Sequence, residues 1–294
     1  MKGYSIHVGV NRISETHYEK NYDPLTAPVW DAERMRFIAD KEGFIPIATL
    51  LNEAATRENF FSKIELSSSR MTDEDTLMIT FSGHGSSFRD SKNPRDYKIV
   101  QAICLYDWML REDELLIVLD GLFNSKQKII FISDSCHSGG FLETEDTLDI
   151  EPDKQPSLTQ ESIKPTPEDH LGQKAKSLPE KHFENIFSRK IYQDKWKDLG
   201  IDDIDNQPQN DLTINHLAAC LQKEEALERE AEYSFFTEAL YRVWNMSRHS
   251  YIDYESFTND IKIHLQTLNP VQKQSPNFKQ LGTPNTEFIL SRPF

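Results

Sequence analysis

Two stretches of the sequence decide the fold: residues 75–85, which read DTLMITFSGHG, and residues 128–140, which read KIIFISDSCHSGG. Each begins with a mostly apolar run and ends in a turn that contains glycine. Continuous apolar runs of this length are typical of strands buried on both faces of a parallel sheet. Ligands bind such a sheet beyond the carboxyl ends of its strands, so the sequence predicts a site at these two turns.

Segments typical of strands and of helices alternate around these two runs. Pro46 favours an edge position for the second strand, and Thr56 is a candidate N-terminal cap of a helix. We predict further strands at residues 4–10, 44–51, 214–220 and 286–290, and helices at residues 31–39, 56–66 and 232–246. This alternation predicts an α/β fold.

Composition and charge exclude several classes of function. The 294 residues include 33 basic and 48 acidic side chains, which gives a net charge of −15. A chain with no basic surplus is not expected to bind nucleic acid through counterion release, or to bind an anionic membrane surface. No run approaches the roughly 18 apolar residues of a membrane span, and no signal-peptide pattern is found. Three cysteines in this length predict no disulfide framework, and we expect a cytoplasmic protein.

A thiol and an imidazole follow the two predicted strands. His84 lies between Gly83 and Gly85, and Cys136, 52 residues later, precedes two glycines at positions 139 and 140. Together they can act as nucleophile and base, because the imidazole draws a proton from the thiol and later protonates the leaving amine. Taken alone, a cysteine at the end of a strand is usually inert, and a lone histidine is usually a hydrogen-bonded polar residue with no catalytic role. The neighbouring His137 is interpreted as structural. A zinc site formed by His84, Cys136 and His137 is not expected, because these residues lack the repeated close spacing of zinc ligands.

The two turns carry a resemblance to a known family. Residues 81–85 and 134–139 resemble the signature turns of the metacaspases and the prokaryotic orthocaspases, which are caspase-like cysteine peptidases of family C14. Residues 31–35, 103–115, 218–220 and 236–240 resemble other parts of that family. The resemblance implies a caspase-like three-layer sandwich, with a mostly parallel central sheet between helices. It also implies Cys136 as nucleophile, His84 as acid and base, and the N–H groups of Gly85 and Cys136 as oxyanion hole.

The same resemblance implies a substrate pocket formed by Asp31, Ser82 and Asp134, and cleavage after Arg or Lys. Two carboxylates in a narrow pocket suit a basic side chain and repel an acidic one. The alternatives are a helix N-terminal charge for Asp31 and a turn-forming hydrogen bond for Asp134. The expected partners are protein or peptide substrates with Arg or Lys before the scissile bond.

The chemistry predicted here needs no cofactor, but many metacaspases are similar in being activated by calcium. Glu112 and Asp113 match part of that acidic cluster and are the calcium candidates. A further acidic position of the family falls at Val100, and the one after the catalytic turn falls near Glu143. Calcium needs several oxygen ligands, so the apolar residue weakens this match. The alternative is a solvated acidic helix start.

The middle of the chain is polar and contains many prolines. We predict a large-subunit-like catalytic part at residues 1–144, a polar linker or insertion at 145–209, and a small-subunit-like part at 210–294, together one caspase-like domain. Related zymogens cut their own linker after a basic residue, and an exposed polar segment is a good protease substrate. The candidates for self-cleavage here are Lys154, Lys164, Lys174, Lys176, Lys181, Arg189 and Lys190. The alternative is a tolerated surface insertion that is not cleaved.

The sequence thus predicts a monomeric cysteine endopeptidase that works through an acyl-enzyme. Two alternatives stay open at this point. One is a catalytically silent caspase-like module that binds partners, and the other is a clan relative that is specific for Asn or Asp.

Overall fold

The computed structural model describes residues 1–90, 98–136, 173–178, 186–199, 212–221, 224–229, 233–246, 253–270 and 273–294. The strands are β1 (Gly3–Gly9), β2 (Ile45–Leu51), β3 (Thr76–Ser82), β4 (Gly85–Asp90), β5 (Lys98–Cys104), β6 (Met109–Arg111), β7 (Lys128–Asp134), β8 (Gln173–Ala175), β9 (Thr213–Ala218), β10 (Leu227–Arg229) and β11 (Asn277–Gly282). The helices are α1 (Glu15–Tyr18), α2 (Pro28–Lys41), α3 (Arg57–Arg70), α4 (Glu112–Leu122), α5 (Lys190–Asp198), α6 (Phe235–Met246), α7 (Tyr254–Leu268) and α8 (Thr286–Leu290), with a 3-10 turn at Asn52–Ala54.

Six strands form the central sheet, in the order β11-β9-β7-β3-β1-β2. All neighbouring pairs are parallel except β11 with β9, which is antiparallel. β2 lies at an edge, which confirms the expectation from Pro46. The two stretches that decide the fold form the adjacent central strands β3 and β7, each buried almost throughout.

Two layers of side chains cover the two faces of this sheet. Successive side chains of a strand point to opposite faces. In β7, Ile129 and Phe131 therefore enter one core cluster with α3 and α4, whereas Ile130 and Ile132 enter a second cluster with α2, α6 and α7. Burying one such side chain stabilises the fold by roughly 1.5–3 kcal/mol. The predicted α/β sandwich with helices on both faces is confirmed.

Several local predictions agree with the structure. The Thr56 hydroxyl accepts a hydrogen bond from the N–H of Asn59 at 3.1 Å and caps α3, as predicted. The helix predicted at residues 31–39 begins earlier, at Pro28, because proline is compatible with the first position of a helix. Between β3 and β7 the chain forms the small antiparallel sheet β4-β5-β6 and then α4, which supplies the crossover that two parallel neighbouring strands need.

The prediction of a last strand at residues 286–290 is wrong. These residues form the short helix α8, because the Asn285 side chain accepts a hydrogen bond from the N–H of Phe288 and caps the helix start. Only Phe288 of this helix is buried. The last strand is β11, an antiparallel edge strand whose mixed polar composition gives little periodic signal.

Part of the predicted linker packs against the rest of the chain. Residues 173–178 follow an extended path, and β8 within them pairs with β10 in an antiparallel two-stranded sheet. α5 buries Tyr192 and Trp196 in the core cluster that also contains α3 and α4. Within the described ranges, no helix combines the length and the apolar composition that crossing a bilayer requires.

Candidate active site

The turns that carry His84 and Cys136 lie against each other. Ser82 at the end of β3 pairs in register with Asp134 at the end of β7, and the two reactive residues follow these partners by two positions each. The N–H of Gly83 donates to the Asp134 carbonyl at 3.3 Å. A Cβ added to Gly85 would lie 2.5 Å from the Cys136 carbonyl oxygen, so a larger residue does not fit this contact. The predicted meeting of the two turns at one sheet edge is therefore what the structure has.

The predicted pocket residues also come together. Asp31 from α2 accepts a hydrogen bond from the Ser82 hydroxyl at 2.7 Å, and both side chains are buried. Two hydroxyls that precede or begin α6 complete the wall. Ser234 donates from its N–H to Asp31 Oδ1 at 3.0 Å and its hydroxyl contacts both carboxylates, while the Thr237 hydroxyl donates to Asp134 Oδ2 at 2.7 Å. Hydroxyl donors of this kind fix buried carboxylates that water does not reach.

A lysine from the linker fills this pocket. Lys176 Nζ lies 2.9 Å from Asp134 Oδ1, 3.3 Å from Asp31 Oδ2 and 2.9 Å from Ser82 Oγ, and it also donates to the Asp134 carbonyl at 3.1 Å. The lysine side chain is completely buried. The three residues predicted to form the pocket thus all contact one cation that belongs to the chain itself.

The ionisation of this group follows from burial and from its partners. Burial alone would lower the pKa of Lys176, but the Asp134 and Asp31 carboxylates raise that pKa above its ordinary value. Burial raises the pKa of Asp31 to about 6, against the opposing attraction of Lys176. A buried ion pair holds its geometry well, but removing one partner leaves an uncompensated charge. The ionised carboxylates of the pocket therefore favour a cation.

The main chain of Lys176 lies against the reactive residues. Its carbonyl oxygen accepts a hydrogen bond from the N–H of Gly85 at 3.1 Å, and His84 Nδ1 lies 3.1 Å from the same oxygen. The Lys176 N–H donates to the Ala226 carbonyl at 3.0 Å. The Gly85 N–H, which was predicted to belong to the oxyanion hole, thus contacts a carbonyl oxygen. The assignment of the Cys136 N–H to that hole stays a prediction.

Both reactive side chains are buried beneath this segment. Cys136 Sγ accepts a hydrogen bond from the Ala226 N–H at 3.2 Å and donates to the Ala226 carbonyl at 3.4 Å. Burial raises the pKa of the Cys136 thiol well above its ordinary value, and burial lowers the pKa of His84 to about 4. With Lys176 in place, the thiol and the imidazole are therefore both neutral at neutral pH.

Sequence reasoning missed the contributions of the small-subunit-like part. Ser234, Thr237 and Ala226 all contact the site, and only Thr237 lies in a segment that resembles the family, although no role was assigned to it. The one available signal was a pair of hydroxyl residues at the start of an amphipathic helix pattern, which is ordinary for a helix N-terminus. Lys176 was one of seven basic candidates in the linker, and its sequence surroundings do not distinguish it from the others.

The calcium candidates do not form a calcium site in the part of the chain that is described. Arg111 forms an ion pair with the Asp113 carboxylate, the Glu112 side chain is buried at the start of α4, and Val100 is buried in the core. No group of three or more His, Cys, Asp or Glu side chains among the described residues could hold a metal ion. Glu143 lies outside the described residues. We therefore derive no step that involves calcium.

The other linker and cysteine predictions have different outcomes. Among the remaining cleavage candidates, Arg189 pairs with Glu19 and Lys190 with Asp194. His137, the two glycines at 139 and 140, Lys154, Lys164 and Lys181 lie outside the described residues. Cys104 and Cys220 are buried, and neither forms a disulfide bond.

Comparisons with known proteins agree with this fold. The sequence model of the caspase domain, peptidase family C14, matches residues 13–286. The structure of GSU0716 from Geobacter sulfurreducens is similar, with a TM-score of 0.74, 25% identity, and coverage of 100% of this chain and 98% of that chain. Caspase-1 from Spodoptera frugiperda has a similar fold, with a TM-score of 0.53, 11% identity, and coverage of 95% and 88%. Among curated proteins, no sequence match is found. Because the family match spans nearly the whole chain and both signature turns, the chain belongs to the caspase-domain family of C14 peptidases.

Proposed function

We propose that this protein is a cysteine endopeptidase of the metacaspase type, which hydrolyses peptide bonds after Arg or Lys. One observation carries the proposal: Lys176 occupies the carboxylate pocket while its carbonyl oxygen faces the Gly85 N–H and His84. A lysine held in this way is bound as a substrate residue before a scissile bond. The pocket contains the carboxylates of Asp31 and Asp134, so it would repel the Asp side chain that a caspase-like alternative would require.

The proposed reaction begins with transfer of the Cys136 thiol proton to His84. The thiolate then attacks the carbonyl carbon before the scissile bond, and the Gly85 N–H stabilises the negative oxygen of the tetrahedral intermediate. His84 returns the proton to the departing amine, which leaves a thioester on Cys136. Water then hydrolyses the thioester, and the free thiol is restored. Removing one oxyanion donor typically lowers kcat by about 10²–10³-fold.

The Lys176–Ser177 bond is itself the proposed site of self-cleavage. Its carbonyl oxygen accepts a hydrogen bond from the Gly85 N–H, the proposed oxyanion donor, and β8 precedes it as an extended strand. Cleavage there would release the Lys176 carboxyl end and free the pocket for other substrates. Burial favours the neutral thiol and the neutral imidazole, so in the proposed reaction the proton leaves Cys136 only as the attack begins.

The test compares wild type with Cys136→Ala and His84→Ala on fluorogenic peptides that end in Arg, Lys, Asp or Asn, each with calcium and with chelator. We expect wild type to cleave the Arg and Lys peptides and both variants to be inactive while unfolding at nearly unchanged temperature. Cys104→Ala is the matched control, because this thiol is buried in the core and should not be needed for turnover. A folded wild type that cleaves none of the peptides, or one that prefers Asp or Asn, would refute the proposal.

Intact mass measurements test the self-cleavage separately. Wild type is expected to yield two products that correspond to residues 1–176 and 177–294, and Cys136→Ala is expected to stay intact. Products that end at another basic residue of the linker would move the assignment away from Lys176.

A further inference from the structure

The segment around Lys176 shows how a longer peptide would lie in the site. β8 pairs with β10 so that Ala175 lies opposite Leu227 and Lys174 opposite Glu228. Beyond the scissile bond, the N–H of Leu178 donates to the Gly85 carbonyl at 3.4 Å. Main-chain pairing of this kind provides affinity for an extended peptide, and side-chain subsites provide its selectivity.

A second lysine of the segment has a binding place of its own. Lys174 lies two residues before Lys176, and its Nζ donates to the carbonyl oxygens of Asp23 at 2.9 Å and of Pro24 at 2.8 Å. Main-chain carbonyls accept hydrogen bonds and never donate them, and an ammonium group has three donors and no acceptor. Two carbonyls that point at one nitrogen therefore select a cation over a neutral or acidic side chain.

A buried carboxylate fixes the loop that carries these carbonyls. Glu228 accepts hydrogen bonds from the Thr26 N–H at 2.8 Å, from the Thr26 hydroxyl at 3.2 Å and from the Ala27 N–H at 3.0 Å. Its side chain is almost completely buried. Since Glu228 belongs to the strand that pairs with Lys174, the same strand binds the peptide main chain and holds the loop beside it.

We infer that the site recognises a second basic residue two positions before the scissile one, in a subsite formed by the carbonyls of Asp23 and Pro24 and positioned by Glu228. The inference rests on the proposed function and extends it from one residue to a pattern of basic, any, basic. Substrates would then be peptides with two Lys or Arg residues separated by one residue. Glu228 acts as a positioning residue, because it touches the loop and not the bound cation.

The first test measures kcat/KM for fluorogenic tetrapeptides that follow the linker sequence, Gln-Lys-Ala-Lys, and for versions with Arg, norleucine or Glu in place of the first lysine. Norleucine keeps the carbon chain and removes the charge. Because the subsite is partly open to solvent, we expect norleucine to lower kcat/KM by about tenfold, Glu to lower it further, and Arg to retain it. Equal rates with Lys and norleucine would overturn the inference and leave the proposed function intact.

Two variants separate positioning from a general loss of charge. Glu228→Gln should reduce the tenfold preference for Lys over norleucine to about twofold, because a weaker acceptor holds the loop less firmly. Glu33→Gln is the matched control, since Glu33 pairs with Arg36 on the surface and does not touch this loop. If Glu33→Gln reduced the preference as much as Glu228→Gln, the preference would come from long-range charge and the subsite would be refuted.

A second measurement does not need turnover. In Cys136→Ala, hydrogen exchange of residues 173–178 reports how firmly the segment is bound. Lys174→Met in that background should speed exchange about tenfold, and Lys174→Arg should leave it nearly unchanged. Unchanged exchange in Lys174→Met would overturn the inference, even if no peptide were cleaved and the proposed function had failed.

Discussion

Replacing Lys176 with methionine tests the central contact of the site. Methionine keeps the length of the side chain and removes its charge, so the pocket keeps an occupant of similar shape. Lys176 Nζ contacts two carboxylates, one hydroxyl and one carbonyl, all buried. The change leaves Asp31 and Asp134 facing an apolar side chain, and the segment that carries residue 176 should bind the site much less firmly.

The size of the effect follows from those contacts. Removing one partner of a buried ion pair typically costs about 3–5 kcal/mol. Release of the segment lets water reach the carboxylates and recovers part of this cost, so the lower end applies, about 3 kcal/mol. At 25 °C this corresponds to a shift of about 150-fold in the equilibrium between bound and released segment.

The assay is hydrogen exchange of residues 173–178 in Cys136→Ala, with and without Lys176→Met, and intact mass in the active background. We expect exchange about 100-fold faster in the methionine variant, and no product that ends at residue 176. Lys176→Arg is the control, because a guanidinium can still pair with both carboxylates. Exchange less than about fivefold faster with methionine, or continued cleavage after residue 176, would refute the reasoning.

Two further predictions concern the turn at Gly85 and the dependence of stability on pH. Gly85→Ala should lower kcat/KM by about 100-fold, because the added Cβ would lie 2.5 Å from the Cys136 carbonyl oxygen and must displace one of the two turns; activity within threefold of wild type would contradict this. Burial lowers the pKa of both His7 and His216 to about 3, so their stabilising contribution is present above pH 6.5 and is lost as the pH falls below it. Between pH 7 and pH 5, the contribution of each histidine to the free energy of unfolding should fall by about 2 kcal/mol. Asp31 acts in the opposite direction, because its raised pKa favours the folded state on acidification, but its gain is only about 1 kcal/mol. Urea unfolding at pH 7, 6 and 5 should therefore show decreasing stability, and a constant or rising midpoint would contradict the assignment.

Residue patterns alone were enough to predict the central sheet and the location of the candidate catalytic residues. The apolar runs at residues 76–82 and 128–134 can be buried only as interior strands, because both of their faces are apolar. Parallel strands end at a common edge, so the positions of His84 and Cys136 in the sequence were enough to predict that their turns meet. Asp31, Ser82 and Asp134 were found through the resemblance of their segments to a family, and periodicity alone would not have joined them.

Tertiary structure alone decided what fills the site. Ser234, Thr237 and Glu228 approach from the last third of the chain, about 100 to 200 residues away from the carboxylates and the loop that they contact. The resemblance covers the segment of Thr237 but assigns it no role, because the roles of these residues depend on which strands pair and on how α6 packs against α2. Lys176 differs from its neighbouring lysines only in the register of β8 on β10, and one shift of that register would place a different side chain over the pocket. The identity of the bound lysine is thus a property of the assembled fold, since only the fold brings two carboxylates and the oxyanion donor to one residue.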